Sequence, residues 1–189
     1  SSLFSLQSQN KFSKRKIENL KEEVSQLVED DKKMTQVMID KVFSFGELGF
    51  QEFETSKYLG KILEENGFDV EYQISDIPTS WLATWSNGEG GPTIALGSDF
   101  DGVPSTSQYP GVAYEKPVVE GAPGHGEGHN IGLPIVITSA IAIKKIMIEN
   151  NINGKLVLWP GVAEEILGAK AWYVRDGYFD NVDMCIFTH

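Results

Sequence analysis

The chain of 189 residues has one cysteine, three histidines and few basic side chains, and it lacks any long apolar run. A single cysteine forms no internal disulfide, so the fold must hold itself together without a covalent staple. Cys185 lies in the apolar run Met184-Cys185-Ile186-Phe187, where a thiol packs as a small hydrophobe and marks no compartment. No stretch approaches the roughly 18 apolar residues that a membrane-spanning helix needs. With 16 Lys and Arg against 27 Asp and Glu the net charge is -11. Such a surface repels phosphate backbones and anionic lipid, which argues against nucleic-acid and membrane partners and favours small molecules or peptides. Internal repeats and low-complexity tracts are absent as well.

What is present suits one globular unit: 41% hydrophobic residues and 11% aromatics are enough to build a core. Residues 1–12 stand apart. Ser-Ser-Leu-Phe-Ser-Leu-Gln-Ser-Gln at positions 1–9 reads either as the remnant of a signal peptide or as a frayed terminus. The first implies a secreted or periplasmic protein and the second a cytoplasmic one.

Residues 13–189 read as one domain of the α/β class. Ile17, Leu20, Val24, Leu27 and Val28 recur at helical spacing over 13–30, with Ser13 as the N-cap. A second helix carries Met34, Val37, Met38 and Val42 and ends near Phe45-Gly46, and a third runs from Thr55 to Asn66 with Gly67 as its stop. Strands are predicted at Phe68–Ile74, Trp81–Trp85 and Thr93–Gly97, and the Asn87-Gly88 pair between the last two predicts a hairpin. A long Gly/Pro-rich loop, 101–130, precedes a helix over Leu133–Glu149, a strand over Lys155–Trp159, a helix over Ile166–Arg175 and a strand over Met184–Phe187. Strands alternating with helices predict a central mixed, largely parallel sheet flanked by helices.

The chemistry concentrates in three places. Gly124-His125-Gly126-Glu127-Gly128-His129-Asn130 ends the long loop, Ala163-Glu164-Glu165 follows the Lys155–Trp159 strand, and Thr188-His189 follows the last strand. Imidazole and carboxylate together are the ligand set for zinc and similar ions, and interleaved glycines let backbone approach an ion closely. Sites in open α/β sheets form where strands end, and Asp99, Asp101, Glu164, Glu165 and His189 all fall just after a predicted strand. Two adjacent carboxylates offer two jobs, one binding an ion and the other accepting a proton from water. Asp99 and Asp101 read either as turn formers or as carboxylates that orient imidazole ligands. The glycines of 124–128 fit neither a phosphate loop nor the dinucleotide fingerprint. A site made of His125, Glu127 and His129 alternating along one strand is a further reading of the same segment.

In order along the chain, Phe45-Gly46-Glu47-Leu48-Gly49-Phe50-Gln51-Glu52, Ser98-Asp99-Phe100-Asp101-Gly102-Val103-Pro104, Ala122 to Asn130, Ala163-Glu164-Glu165 and Val182 to His189 resemble the M20 metallopeptidases and amidohydrolases, in the branch of the aminobenzoyl-glutamate hydrolases. The resemblance covers roughly residues 35–189. It implies two divalent ions, zinc or manganese, and hydrolysis of an amide bond of an N-acyl amino acid or small peptide. By the same resemblance Glu127 bridges the ions, His129, Glu165 and His189 are ligands, Glu164 is the general base toward a metal-bridged water, and Asp101 and His125 are supporting groups. The alternative is a non-catalytic metal- or ligand-binding relative. The branch usually carries cysteine where this chain has Glu127, and a hard carboxylate there shifts preference toward manganese. Family members run to roughly twice this length, with a dimerising lid domain and a returning piece that brings a last histidine. The resemblance therefore implies the first part of a catalytic domain, inactive alone, from a homodimeric protein.

Overall fold

The computed structural model describes residues 12–189, so the reading of residues 1–9 lies outside the described residues. Helix α1 (Lys14–Asp30) starts where expected, with the Ser13 hydroxyl accepting the Lys16 N–H at 3.2 Å. Helix α2 (Lys32–Phe45) ends on the left-handed Gly46. Helix α3 (Phe53–Glu65) begins two residues earlier than its apolar spacing suggests. The cause is Glu47, whose carboxylate accepts the N–H groups of Glu54 and Thr55 and the Thr55 hydroxyl at 2.8–2.9 Å. It thereby caps the first turn from outside the helix. Gly67, with φ +73°, closes α3 as predicted: its N–H reaches Glu64 O and that of Phe68 reaches Leu63 O.

Five strands follow: β1 (Asp69–Tyr72), β2 (Trp81–Asn87), β3 (Thr93–Asp99), β4 (Gly154–Gly161) and β5 (Met184–Thr188). They form one mixed sheet in the order β1-β2-β4-β3-β5. Pairing is antiparallel for β1 with β2 and β2 with β4, and parallel for β3 with β4 and β5. The expected mixed sheet flanked by helices is present, and its parallel part is the part that ends at the site.

The predicted Asn87-Gly88 hairpin is not there. Strand β4 lies between β2 and β3, with Leu158 opposite both Ala83 and Leu96. A tight hairpin needs a two-residue loop, whereas five residues separate these strands and wrap the start of β4. Asn153 Nδ2 donates to Glu89 O at 2.9 Å and Lys155 N to Pro92 O at 2.9 Å. Two other boundaries move for a local reason. Gln73, Ser75 and Asp76 have positive φ and cut the first strand short at Tyr72. The helix predicted over Ile166–Arg175 is broken by left-handed Leu167 and by Ala169 at φ +48°, leaving a 3-10 turn (Glu164–Ile166) and a short α5 (Lys170–Arg175).

Helix α4 (Gly132–Glu149) packs on β3 and β4 and is itself covered by α1 and α2, while α3 lies against β1 and β2. Leu59, Leu63, Trp81, Leu133, Ile137 and Leu158 are fully buried in the resulting core. Trp159 on β4 meets Tyr173, Phe179 and Phe187 with ring centroids 5.0–6.1 Å apart. Among the described residues, no helix is long and apolar enough to cross a membrane. Replacing Glu47 by Ala strips the acceptors from the α3 start, and urea unfolding should show a loss of about 1–2 kcal/mol. An unchanged midpoint and slope would remove Glu47 as the cap.

Candidate metal centre

Strands β4, β3 and β5 run in the same direction, and their carboxyl ends bring four chain segments to one edge of the sheet. In register, Asp99 on β3 faces Gly161 on β4, and Ser98 faces Thr188 on β5. Asp101 follows β3 directly, Glu164 and Glu165 follow β4, and His189 follows β5. The fourth segment, 125–130, arrives from the long loop just before α4 and is tied to β3 by paired backbone hydrogen bonds between Val103 and Gly124.

The turn after β4 is held in an unusual shape. Ala163 has φ +55°, a left-handed conformation that costs an alanine free energy. Three contacts enforce it. Glu52, a fully buried carboxylate, accepts the Ala163 N–H at 2.9 Å and the Thr79 hydroxyl at 2.8 Å. Gly168 N–H returns to Ala163 O at 2.8 Å, and Asp101 Oδ2 accepts the Glu165 N–H at 3.1 Å. Burial, partly offset by those hydrogen bonds, raises the Glu52 pKa above the usual carboxylate range.

His129 is the centre of the group. Its Nδ1–H donates to the Asp101 carbonyl at 3.0 Å, which turns Nε2 outward as the nitrogen an ion can reach. Nε2 lies 3.4 Å from Nε2 of His189. Glu127 turns one oxygen to each ring, Oε2 at 3.5 Å from His129 Nε2 and Oε1 at 3.6 Å from His189 Nε2. Glu165 Oε1 is 3.8 Å from His129 Nδ1, is buried and has no hydrogen-bond partner. Asp101 Oδ1 is likewise without one and lies 3.4 Å from Nδ1.

These distances suit a cation. Two nitrogens bound to one tetrahedral zinc at about 2.0–2.1 Å stand about 3.3–3.4 Å apart, which matches the two Nε2 atoms. Two overlapping sets have ligand atoms within 4.8 Å of one another: Glu127, His129, Glu164 and Glu165, and Asp99, His129, Glu164 and His189. Orphaned acceptors on Glu165 and Asp101 and two imidazole Nε2 atoms turned toward each other suit an ion that displaces their protons, so the residues present fit a divalent metal.

Proton affinities within the cluster follow from the same imbalance. Burial opposes a charge on His129, yet the Asp101 carboxylate and carbonyl beside its ring, with the Asp99 charge, lift its pKa to about 9. Burial first, and then the neighbouring Glu127 carboxylate, push Glu165 up. The cluster carries more negative charge than its protein partners neutralise.

The sequence-derived residues Glu127, His129, Glu164, Glu165 and His189 thus meet at one place, with Asp101 beneath them. His125 does not join either set. It is buried, its Nε2–H donates to Val42 O at 3.1 Å, and burial lowers its pKa. It fastens the loop to α2. The strand-like triad of His125, Glu127 and His129 is therefore not formed, since the segment is an irregular loop. Asp99, read from sequence as a turn former or a carboxylate that orients imidazole, lies within the cluster; two residues went unassigned, Lys170 as its ion-pair partner and Glu52 as the anchor of Ala163. Lys170 lies in a predicted helix and Glu52 in a charged loop, and no local pattern distinguishes such residues from solvated ones.

No protein-family model matches the chain. One of the subunits of the p-aminobenzoyl-glutamate hydrolase of Escherichia coli is 31% identical over 166 residues, which cover 88% of this chain and 34% of that protein. Hippurate hydrolase of Campylobacter jejuni is 32% identical over 139 residues, covering 72% of this chain and 33% of its own. The chain therefore spans about a third of the length of these curated relatives. A solved Bacillus subtilis structure, described as a dinuclear metal binding peptidase from the M20 family, superposes with a TM-score of 0.68 at 23% identity, over 84% of this chain and 44% of that one. The same fold, the ordered motifs and the sequence identity agree, and the chain belongs to the M20 family of metallopeptidases and amidohydrolases.

Proposed function

We propose that these residues form the ion-holding part of a hydrolase that cleaves amide bonds of N-acyl amino acids or small peptides. The observation that carries this reading is the shared focus of His129 Nε2, His189 Nε2 and both Glu127 oxygens, with Glu164 beside them. The substrate class is supported by the relatives, whose names specify p-aminobenzoyl-glutamate and hippurate as what those proteins hydrolyse.

His129, His189, Glu127 and Glu165 would hold two divalent ions, with Glu127 shared between them. Bound ions supply Lewis acidity, acidifying a coordinated water and polarising the amide carbonyl. Glu164 accepts the proton of the attacking water and delivers it to the departing amine, which keeps the proton balance within one side chain. Asp101 holds His129 through its carbonyl and Glu165 through its carboxylate, so one residue aligns a ligand from the loop and a ligand from the β4 turn. The carboxylate of Glu127 favours a hard ion, and we assign manganese over zinc on that ground. The reading also places further parts of the catalytic domain outside these residues. Its support is the coverage of the relatives and the apolar side chains exposed on the edge strand β5, Met184 and Ile186.

Two outcomes test this. A cation needs the His129 lone pair, and below a pKa of about 9 that nitrogen carries a proton in the ion-free protein. Ion binding near pH 7 should therefore release about one proton at this ring, and affinity should climb about tenfold per pH unit until about pH 9. Calorimetry in buffers of differing ionisation enthalpy reads both quantities, and a flat affinity profile would remove His129 from the ligand set. In the full-length protein, Glu164→Gln keeps shape but accepts no proton, so turnover of an N-acyl amino acid should fall roughly 100-fold with ion content retained. An active Gln variant would overturn the base assignment. A wild-type protein that binds ions but hydrolyses no acyl amino acid or dipeptide would favour the binding-module reading.

A further inference from the structure

Asp99 is fully buried at the back of the cluster and faces two cation positions. On one side the Lys170 ammonium lies 2.8 Å from Oδ1 and 3.1 Å from Oδ2. On the other side, Asp99 has an oxygen within 4.8 Å of ligand atoms of His129, Glu164 and His189. Several features show that the lysine is built into this place. The residue before it, Ala169, has φ +48°, a strained conformation that aims the chain. The ammonium rests 4.4 Å from the Phe187 ring centre on β5. Opposite Asp99 stands Gly161, where any Cβ would collide with Asp99 Oδ1 and come within 2.8 Å of Lys170 Cε. The space at the end of β4 is left clear for the pair.

From this arrangement we infer that Lys170 is a resident cation that keeps Asp99 out of the ligand set, confining divalent ions to the Glu127 side of His129 and so fixing their number. The inference rests on the ion-holding reading above. A carboxylate paired with an ammonium has less charge to offer a second cation, and a divalent ion drawn toward Asp99 would meet the positive charge of Lys170. Lys170 is a positioning residue in this scheme: it touches Asp99 and Phe187, not the ions or the substrate.

The test uses the full-length protein, stripped of metal and titrated with Mn²⁺ and with Zn²⁺, with ion content read by elemental analysis and affinity by calorimetry. Asp99→Asn should keep the wild-type ion number and an affinity within about threefold. Lys170→Met, which retains an apolar stem against Phe187 but no charge, should free Asp99 and add an ion or tighten binding at least tenfold. Lys170→Arg should behave as wild type, and the Asp99→Asn, Lys170→Met double variant should lose the gain. A folded Lys170→Met protein with unchanged ion number and affinity overturns the inference. So does an Asp99→Asn protein that loses an ion or tenfold in affinity, and this arm decides the matter if Lys170→Met fails to fold. A wild-type protein that takes up no ion at all refutes the ion-holding reading itself, a result distinct from either of these.

Discussion

The hydrogen bond from the His129 ring to the Asp101 carbonyl is the constraint on which the site depends. It joins a long irregular loop to the end of the interior strand β3, and it fixes which imidazole nitrogen faces outward. Neither consequence follows from the ligand residues alone. Because Asp101 also takes the Glu165 N–H on its carboxylate, one residue registers the loop against the β4 turn. A shift of β3 by one residue would turn Asp101 to the opposite face of the sheet and separate all three.

The cost of this arrangement is met by the surrounding fold. Buried carboxylates at Glu52, Asp99 and Asp101 would each be unfavourable in isolation. Glu52 is offset by Thr79 and the Ala163 amide, Asp99 by Lys170, and Asp101 by the Glu165 amide. The left-handed Ala163 is a strained residue at the site, tolerated because Glu52 and Gly168 hold its amide and carbonyl. Glu165 and Asp101 each keep a buried carboxylate oxygen without a donor, and that leaves the unbalanced charge within the cluster, where an ion can meet it.

Much of this was legible in the sequence, for physical reasons that differ by element. Helices α1 to α4 show in the spacing of apolar residues, and Ser13 and Gly67 mark ends by chemistry that is local. The candidate ligands were legible because histidine and paired carboxylates at strand ends have few other uses. Strand order was not: the pairing of β4 between β2 and β3 is decided by which buried faces fit, far apart in the chain, and the Asn87-Gly88 signal speaks only for its own neighbours. The break at Leu167 and Ala169 was hidden for the same reason, since left-handed alanine and leucine arise from tertiary forces that override propensity. His125 looks equivalent to His129 in sequence; only the acceptor each ring finds, the Val42 carbonyl for one and the Asp101 carbonyl for the other, separates the loop anchor from the candidate ligand.

In the proposed site, Nε2 of His129, Nε2 of His189 and the Glu127 carboxylate converge on one cation. Anomalous diffraction from crystals of the full-length protein grown with Mn²⁺, recorded on both sides of the metal edge, tests it directly. We expect a peak within about 2.0–2.3 Å of both nitrogens and of a Glu127 oxygen, with the His129 Nδ1–H still on the Asp101 carbonyl. A metal peak bound instead through His125, or an ordered site in which the two imidazoles turn away from each other and no peak lies between them, would contradict it.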